Sequence, residues 1–113
     1  MHHGQHDMEA CIQACLDCHQ ICLATIGHCL SLGGHHAEAG HIRIMSDCAQ
    51  ICAVSADFMI RGSGHHPHLC RECAEICREC EASCANHPGA DDAMRRCAEA
   101  CRRCAEECAK MAA

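Results

Sequence analysis

The sequence predicts an all-α protein: an antiparallel up-down-up-down four-helix bundle with a cysteine-lined core. Three observations predict it. Thirteen of the sixteen cysteines fall into three runs whose spacing alternates four, three, four, which is the seam of a helix that packs against other helices. Short Gly- and Pro-containing punctuation divides the 113 residues into four amphipathic segments. Short connections make consecutive helices antiparallel neighbours, and a chain of this length suits a single domain, 1–113, with one core.

The first segment runs from about 7 to 32 and stops at Gly33-Gly34; it carries Cys11, Cys15, Cys18 and Cys22, with Cys29 one heptad further on. The second runs from about 36 to 61, stops at Gly62-Ser63-Gly64, and carries Cys48 and Cys52. The third, about 67 to 86, opens on Pro67, a favoured first helical position, and carries Cys70, Cys73, Cys77, Cys80 and Cys84 before Pro88-Gly89. The fourth, about 90 to 111, has Asp91 and Asp92 in its first turn and carries Cys97, Cys101, Cys104 and Cys108.

Extending the three-four phase through the cysteine-poor second segment gives His41, Met45, Cys48, Cys52, Ser55 and Met59. The same exercise puts Met8 and Thr25 in phase with the first run, His66 and His87 with the third, and Met94 and Met111 with the fourth. In an antiparallel bundle Met8, Met59, His66 and Met111 then gather at one end, and His41, Met45, His87 and Met94 toward the other. Thiols fill the middle, and thioethers and imidazoles stand at the mouths.

The usual large core formers are scarce: no Trp or Tyr, one Phe, five Leu, eight Ile and one Val. An apolar stripe of Ile12, Leu16, Leu23, Ile26 and Leu30 lies about one residue off the first cysteine run, with Ile44, Ile51 and Phe58 as its counterpart on the second segment. It either broadens the core or forms an outward contact between chains. The third and fourth segments carry Arg and Glu outside the seam.

A formal charge of −6, with acidic and basic residues interspersed, offers no basic patch for nucleic acid or anionic lipid. The opening MHHGQHDMEA lacks the basic start and apolar stretch of a secretory signal, and no transmembrane helix is expected. The expected location is the cytoplasm, where thiols stay reduced. Residues three or four apart on a helix have Cβ atoms roughly 5–6 Å apart, beyond the ~3.5–4.5 Å of a disulfide, so bridges within a run are excluded and only bridges between helices remain open.

A buried free cysteine ordinarily behaves as a small hydrophobe, but a core of such short side chains leaves voids, each methyl-sized one costing about 1 kcal/mol. Metal binding accounts for both the residue type and the spacing, since each Cys-x-x-x-Cys can close on one ion as a two-thiolate clamp. Closed four-thiolate zinc sites carry two negative charges each, which is costly when several are stacked in a narrow tube. Cuprous ion is soft and accepts thiolates and thioethers, and one Cu(I) per bridging thiolate is neutral. Zinc, a general thiol-metal buffer and a thiol/disulfide redox protein are the alternatives. The ferredoxin Cys-x-x-Cys-x-x-Cys run is absent, the βαβ setting of thioredoxin-like chemistry is absent, and no catalytic residue is expected.

All sixteen cysteines are thus candidate metal ligands. His41, Met45, His66, His87, Met8, Met59, Met94 and Met111 are candidate entry or end ligands. His2, His3, His6, His35, His36, His65 and His68 fall in termini and loops, and His19 and His28 fall off the seam.

Through EACIQACLDCHQIC, SDCAQIC, LCRECAEICRECEASC and RCAEACRRCAEECAKMAA the chain resembles the bacterial copper storage proteins, in particular the cytosolic branch without a signal peptide. The resemblance covers nearly the whole sequence. It implies a four-helix bundle holding many Cu(I) ions and assembled as a homotetramer; charge neutrality puts the ions on the order of one per cysteine, and the apolar stripe makes the face of the first two helices the candidate contact. A copper chaperone or small thiols would deliver the metal. His41 departs from the pattern at a position where relatives are expected to carry cysteine.

Overall fold

The computed structural model describes residues 5–112; the side chains of Gln5 and His6 lie outside that description, as do His2 and His3. Four helices follow one another: α1 (Gln5–Leu32), α2 (Ala39–Ile60), α3 (His66–Ala85) and α4 (Asp92–Met111), with a 3-10 turn at Gly34–Ala37 between the first two. α1 packs on α2 and α4, and α3 packs on the same two. The result is a closed antiparallel square of helices, 46 × 18 × 17 Å in extent.

Local chemistry explains the ends. Gly33, at φ 70, terminates α1 by turning its N–H back to the carbonyl of Cys29. Residues 36 and 37, read as the start of the second helix, belong instead to the 3-10 turn. Glu38 supplies the reason, since its carboxylate accepts from the N–H groups of Gly40 and His41 and caps α2 at Ala39. α2 closes with Gly62 at φ 71, its N–H on the Met59 carbonyl and that of Ser63 on the Phe58 carbonyl, a Schellman end that favours glycine. α4 opens at Asp92 because Asp91 is its cap, one carboxylate oxygen taking the Met94 N–H at 3.0 Å.

The packing inverts the usual order of hydrophobicity. All sixteen cysteines are fully buried, and Ala14, Ala49, Ala56, Ala74, Ala98 and Ala105 are buried beside them, while Leu16, Leu23 and Leu30 are 38%, 51% and 54% exposed. The apolar stripe on α1 therefore divides. Its leucines face outward, and Ile12 and Ile26 lean on the core, as do Ile44 and Ile51 of α2. α1 is also long and apolar enough, by length and composition, to cross a membrane. The other helices cover its five seam cysteines, as expected of a core helix.

Candidate metal centre

The seam lines the bundle axis with sulfur at most helical turns, interrupted at Thr25, His41 and Ser55. At one end Cys11, Cys70 and Cys108 converge; beyond them come Cys15, Cys73, Cys104 and Cys108, then Cys18, Cys52, Cys77 and Cys104, then Cys18, Cys22, Cys48 and Cys101, and last Cys22, Cys80, Cys97 and Cys101. Within each group the sulfurs lie within 4.8 Å of one another. Consecutive groups share members: Cys108, Cys104, Cys18, Cys22 and Cys101 each belong to two. Among the described residues, the sulfurs thus form one connected ladder rather than a row of closed sites.

Contacts occur within helices and between them. Cys18 and Cys22 lie 3.9 Å apart, and Cys73 and Cys77 3.8 Å, each pair one turn apart on its own helix. Between helices, Cys15 meets Cys108 at 3.5 Å, Cys48 meets Cys77 at 3.6 Å, and Cys22 meets Cys97 at 3.7 Å. All sixteen thiols are free. An ion with bonds of about 2.3 Å to sulfur spaces two of its thiolates by roughly 3.8 Å when tetrahedral and 4.0 Å when trigonal, so the ladder already has the pitch of a metal-thiolate cluster.

Shared sulfurs decide between ions. A closed tetrahedral zinc site uses four ligands of its own, and the overlapping groups cannot all be closed at once. Cuprous ion takes two or three soft ligands and tolerates bridging thiolates, which suits sulfurs that each face two neighbours. The electrostatics agree, because a thiolate is easily formed only where neighbouring sulfurs remain protonated. The contact between Cys18 and Cys101, at 3.7 Å, pulls the Cys18 thiol below its usual range and pushes that of Cys101 above it. Filling the ladder with thiolates requires one cation for each proton removed.

The end residues arrange themselves as follows. Met59 and Met111 are buried beside the Cys11 end, with Cys70 donating to the Met59 sulfur at 3.8 Å. Met8 is half-buried against the same core and His66 is 9% exposed. Toward the other end Met45 and Met94 are fully buried and His41 is 3% exposed. His41 places Nε2 3.6 Å from the Cys29 sulfur. Burial, then the neighbouring His87, holds the His41 imidazole below its usual range; burial, then Asp91 and Cys97, pushes the Cys29 thiol up. His87 is half-buried, with Nδ1 accepting from the Gly89 N–H at 2.9 Å and Nε2 donating to the His35 carbonyl at 2.9 Å. Both its nitrogens are engaged, so ligation by His87 requires one of these bonds to break. Cys29 and Cys84 stand outside the connected groups.

Phase alone did not find several polar residues that shape this end. Ser83 meets His41 Nδ1 at 2.7 Å; it lies one position off the seam, and nothing in its spacing signals the contact. His28 reaches Asp91 at 2.6 Å and His36 reaches the Gly89 carbonyl at 2.8 Å, tying α1 and the 3-10 turn to the loop before α4. His19, also off the seam, meets the Ala49 carbonyl at 2.7 Å and ties α1 to α2. His35, His65 and His68 are exposed.

The family model described as copper storage protein matches residues 4–113. Among solved structures, the Nmul_A1745 protein from Nitrosospira multiformis is 45% identical with a TM-score of 0.90, the alignment covering 96% of this chain and 97% of that one. Cu(I)-bound copper storage protein BsCsp3 is 39% identical, TM-score 0.87, with 95% and 99% covered. A cytosolic copper storage protein from Streptomyces lividans, in a structure with five coppers, is 32% identical, TM-score 0.81, with 95% and 92% covered. No curated protein matches the chain.

Proposed function

Since the chain belongs to the copper storage protein family, whose members store metal and are not enzymes, we propose that it sequesters Cu(I) as a thiolate cluster along its axis, with ions on the order of one per cysteine. The observation that carries this reading is the sharing of Cys108, Cys104, Cys18, Cys22 and Cys101 between adjacent sulfur groups. All sixteen cysteines act as ligands. His41, Met45, Met94 and His87 at one end, and Met8, Met59, His66 and Met111 at the other, serve as entry or end ligands, His87 after release of one ring hydrogen bond.

No catalysis is involved. An entering Cu(I) displaces a thiol proton and moves inward by exchange between sulfurs already close enough to share it. Each step replaces a proton by a cuprous ion, so no net charge accumulates in a dry core. Residues 1–113 act as one domain.

The setting is the cytoplasm, a reading supported by the cytosolic Streptomyces lividans relative. A copper chaperone or small thiols deliver the metal. The chain assembles as a homotetramer through the α1/α2 face, where the exposed Leu16, Leu23 and Leu30 repeat at heptad spacing.

Anaerobic Cu(I) titration against a strong competing chelator tests the reading. Uptake approaching one ion per cysteine is expected. Saturation near four ions with a preference for zinc would instead make the protein a zinc or general thiol-metal buffer. Reversible thiol oxidation without tight copper binding would make it a redox protein.

A further inference from the structure

Cys29 differs from the thiols of the ladder. It belongs to none of the connected sulfur groups, and its contact is an imidazole, His41 Nε2, at 3.6 Å. On α1, Thr25 lies on the seam between Cys22 and Cys29, and its hydroxyl donates to the Ile21 carbonyl at 2.7 Å. On α2 and α4 the buried Met45 and Met94 occupy the seam next to Cys48 and Cys97. These three helices put no thiol between the Cys29 sulfur and the ladder, and on α3 the buried Cys84 holds the corresponding seam position.

The His41 ring is held on its other edge. Nδ1 lies 2.7 Å from Ser83 Oγ on α3, and the ring leans on His87, with centroids 4.8 Å apart. An imidazole can offer Nε2 to a metal only when its proton sits on Nδ1. With the proton there, Nδ1–H donates to Ser83 Oγ and the Nε2 lone pair faces the thiol. Both donors are buried, and one thiolate with one neutral imidazole makes a neutral two-coordinate Cu(I) complex. Zinc on the same pair would keep a net positive charge and two open positions.

We propose that Cys29 and His41 form a discrete two-ligand Cu(I) site beyond the end of the thiolate ladder, and that Ser83 is the positioning residue that fixes the His41 tautomer for it. Binding forms the Cu–S and Cu–N bonds and breaks the Cys29 S–H bond, whose proton leaves to solvent; no electron is transferred. Bonds of about 2.3 Å to sulfur and 2.0 Å to nitrogen span roughly 4.3 Å when collinear, so the pair must open modestly from 3.6 Å or hold the ion in a bent geometry. This site rests on the storage reading for its ion and on the chain's own hydrogen bonds for its tautomer.

The test uses the full chain labelled with 15N-histidine, with the His41 resonances assigned from their loss in His41→Ala. Long-range 1H–15N correlation of the copper-free protein is expected to show His41 as the Nδ1–H tautomer. Ser83→Ala should shift it toward Nε2–H, and Ser83→Thr should restore it. In chelator competition, Ser83→Ala should weaken one Cu(I) per chain by about 10–100-fold and leave the remaining uptake unchanged, while Cys29→Ala should remove that ion. A wild-type Nε2–H tautomer, or identical copper competition in wild type and Ser83→Ala, overturns the proposal while many-copper uptake stands. Absence of many-copper uptake by the wild-type chain overturns the storage reading and this site with it.

Discussion

Cys52 and Cys104 stand on α2 and α4, helices on opposite corners of the bundle, yet their sulfurs meet at 3.7 Å across its axis. Cys48 and Cys101 repeat the relationship at 3.9 Å. Side chains as short as cysteine reach across the diagonal because no Leu or Ile occupies the centre. Sulfur is both the packing material and the ligand set, which couples copper content to stability.

The ladder predicts unequal losses of capacity. Cys104 belongs to two sulfur groups and Cys84 to none. Cys104→Ala should therefore lower Cu(I) capacity more than Cys84→Ala in anaerobic titration, with both variants still helical by circular dichroism. Equal losses would show that shared thiols do not organise the cluster.

Loading should raise thermal stability well beyond that of the copper-free chain. A ligand bound only by the folded state adds about 4 kcal/mol per site at a thousandfold excess over its dissociation constant, and many sites act together. Paired anaerobic melts before and after copper loading should show a large upward shift in Tm, reversed when a chelator strips the metal. Unchanged melting would mean the ions bind outside the folded core.

The copper-free protein should lose stability on mild acidification. His41 has its folded-state value below the ordinary ~6.5 of imidazole, so between the two values the unfolded chain holds more protons. Its contribution is fully present above about pH 6.5 and is lost as pH falls through the folded value. Urea denaturation of His41→Gln should show a flatter pH dependence than wild type over this range. Asp91 and Glu38 are lowered below the usual carboxylate range, Asp91 first by His28 and Glu38 first by the Gly40 N–H. Their effect falls in more acidic solution, so the two ranges separate.

Asp91 joins the cap of α4 to α1 by giving one oxygen to the Met94 N–H and the other to His28. Asp91→Ala should cost about 1 kcal/mol through the lost cap, read from the denaturation midpoint. Asp91→Asn, which keeps a capping oxygen, should recover most of it. Total copper capacity should be unaffected, since Asp91 touches no sulfur of the ladder.

Replacing Leu16, Leu23 and Leu30 together by Glu should dissociate the proposed tetramer without unfolding the chain, because these side chains are half-exposed in the single chain. Sedimentation velocity reads the result. An unchanged oligomer would move the contact to another face.

Much of the fold was legible because the seam is dense. With a cysteine, methionine or histidine at most three-four positions, the phase of each helix could be followed even through α2, where only Cys48 and Cys52 carry it. Helix starts were less legible where capping is contested. Glu38 and Asp91 displaced the expected starts of α2 and α4 because their carboxylates bind N–H groups two or three residues ahead, a choice between several acidic or polar residues that periodicity does not rank. The fate of the α1 stripe was also left open. A helical position one residue off the seam lies about 100° round the axis, and whether it is covered depends on how closely the neighbouring helices approach.

The sequence by itself determined the helices, their antiparallel order and the chemical character of the axis, since each follows from local spacing and short loops. Only the tertiary structure decided which sulfurs are shared, that Cys52 reaches Cys104 across the diagonal, and that Cys29 stands apart with His41 and Ser83. Those relationships join residues from different helices, and they depend on the axial register of one helix against another. Register is set by side-chain packing and loop geometry acting together, and no single segment contains it.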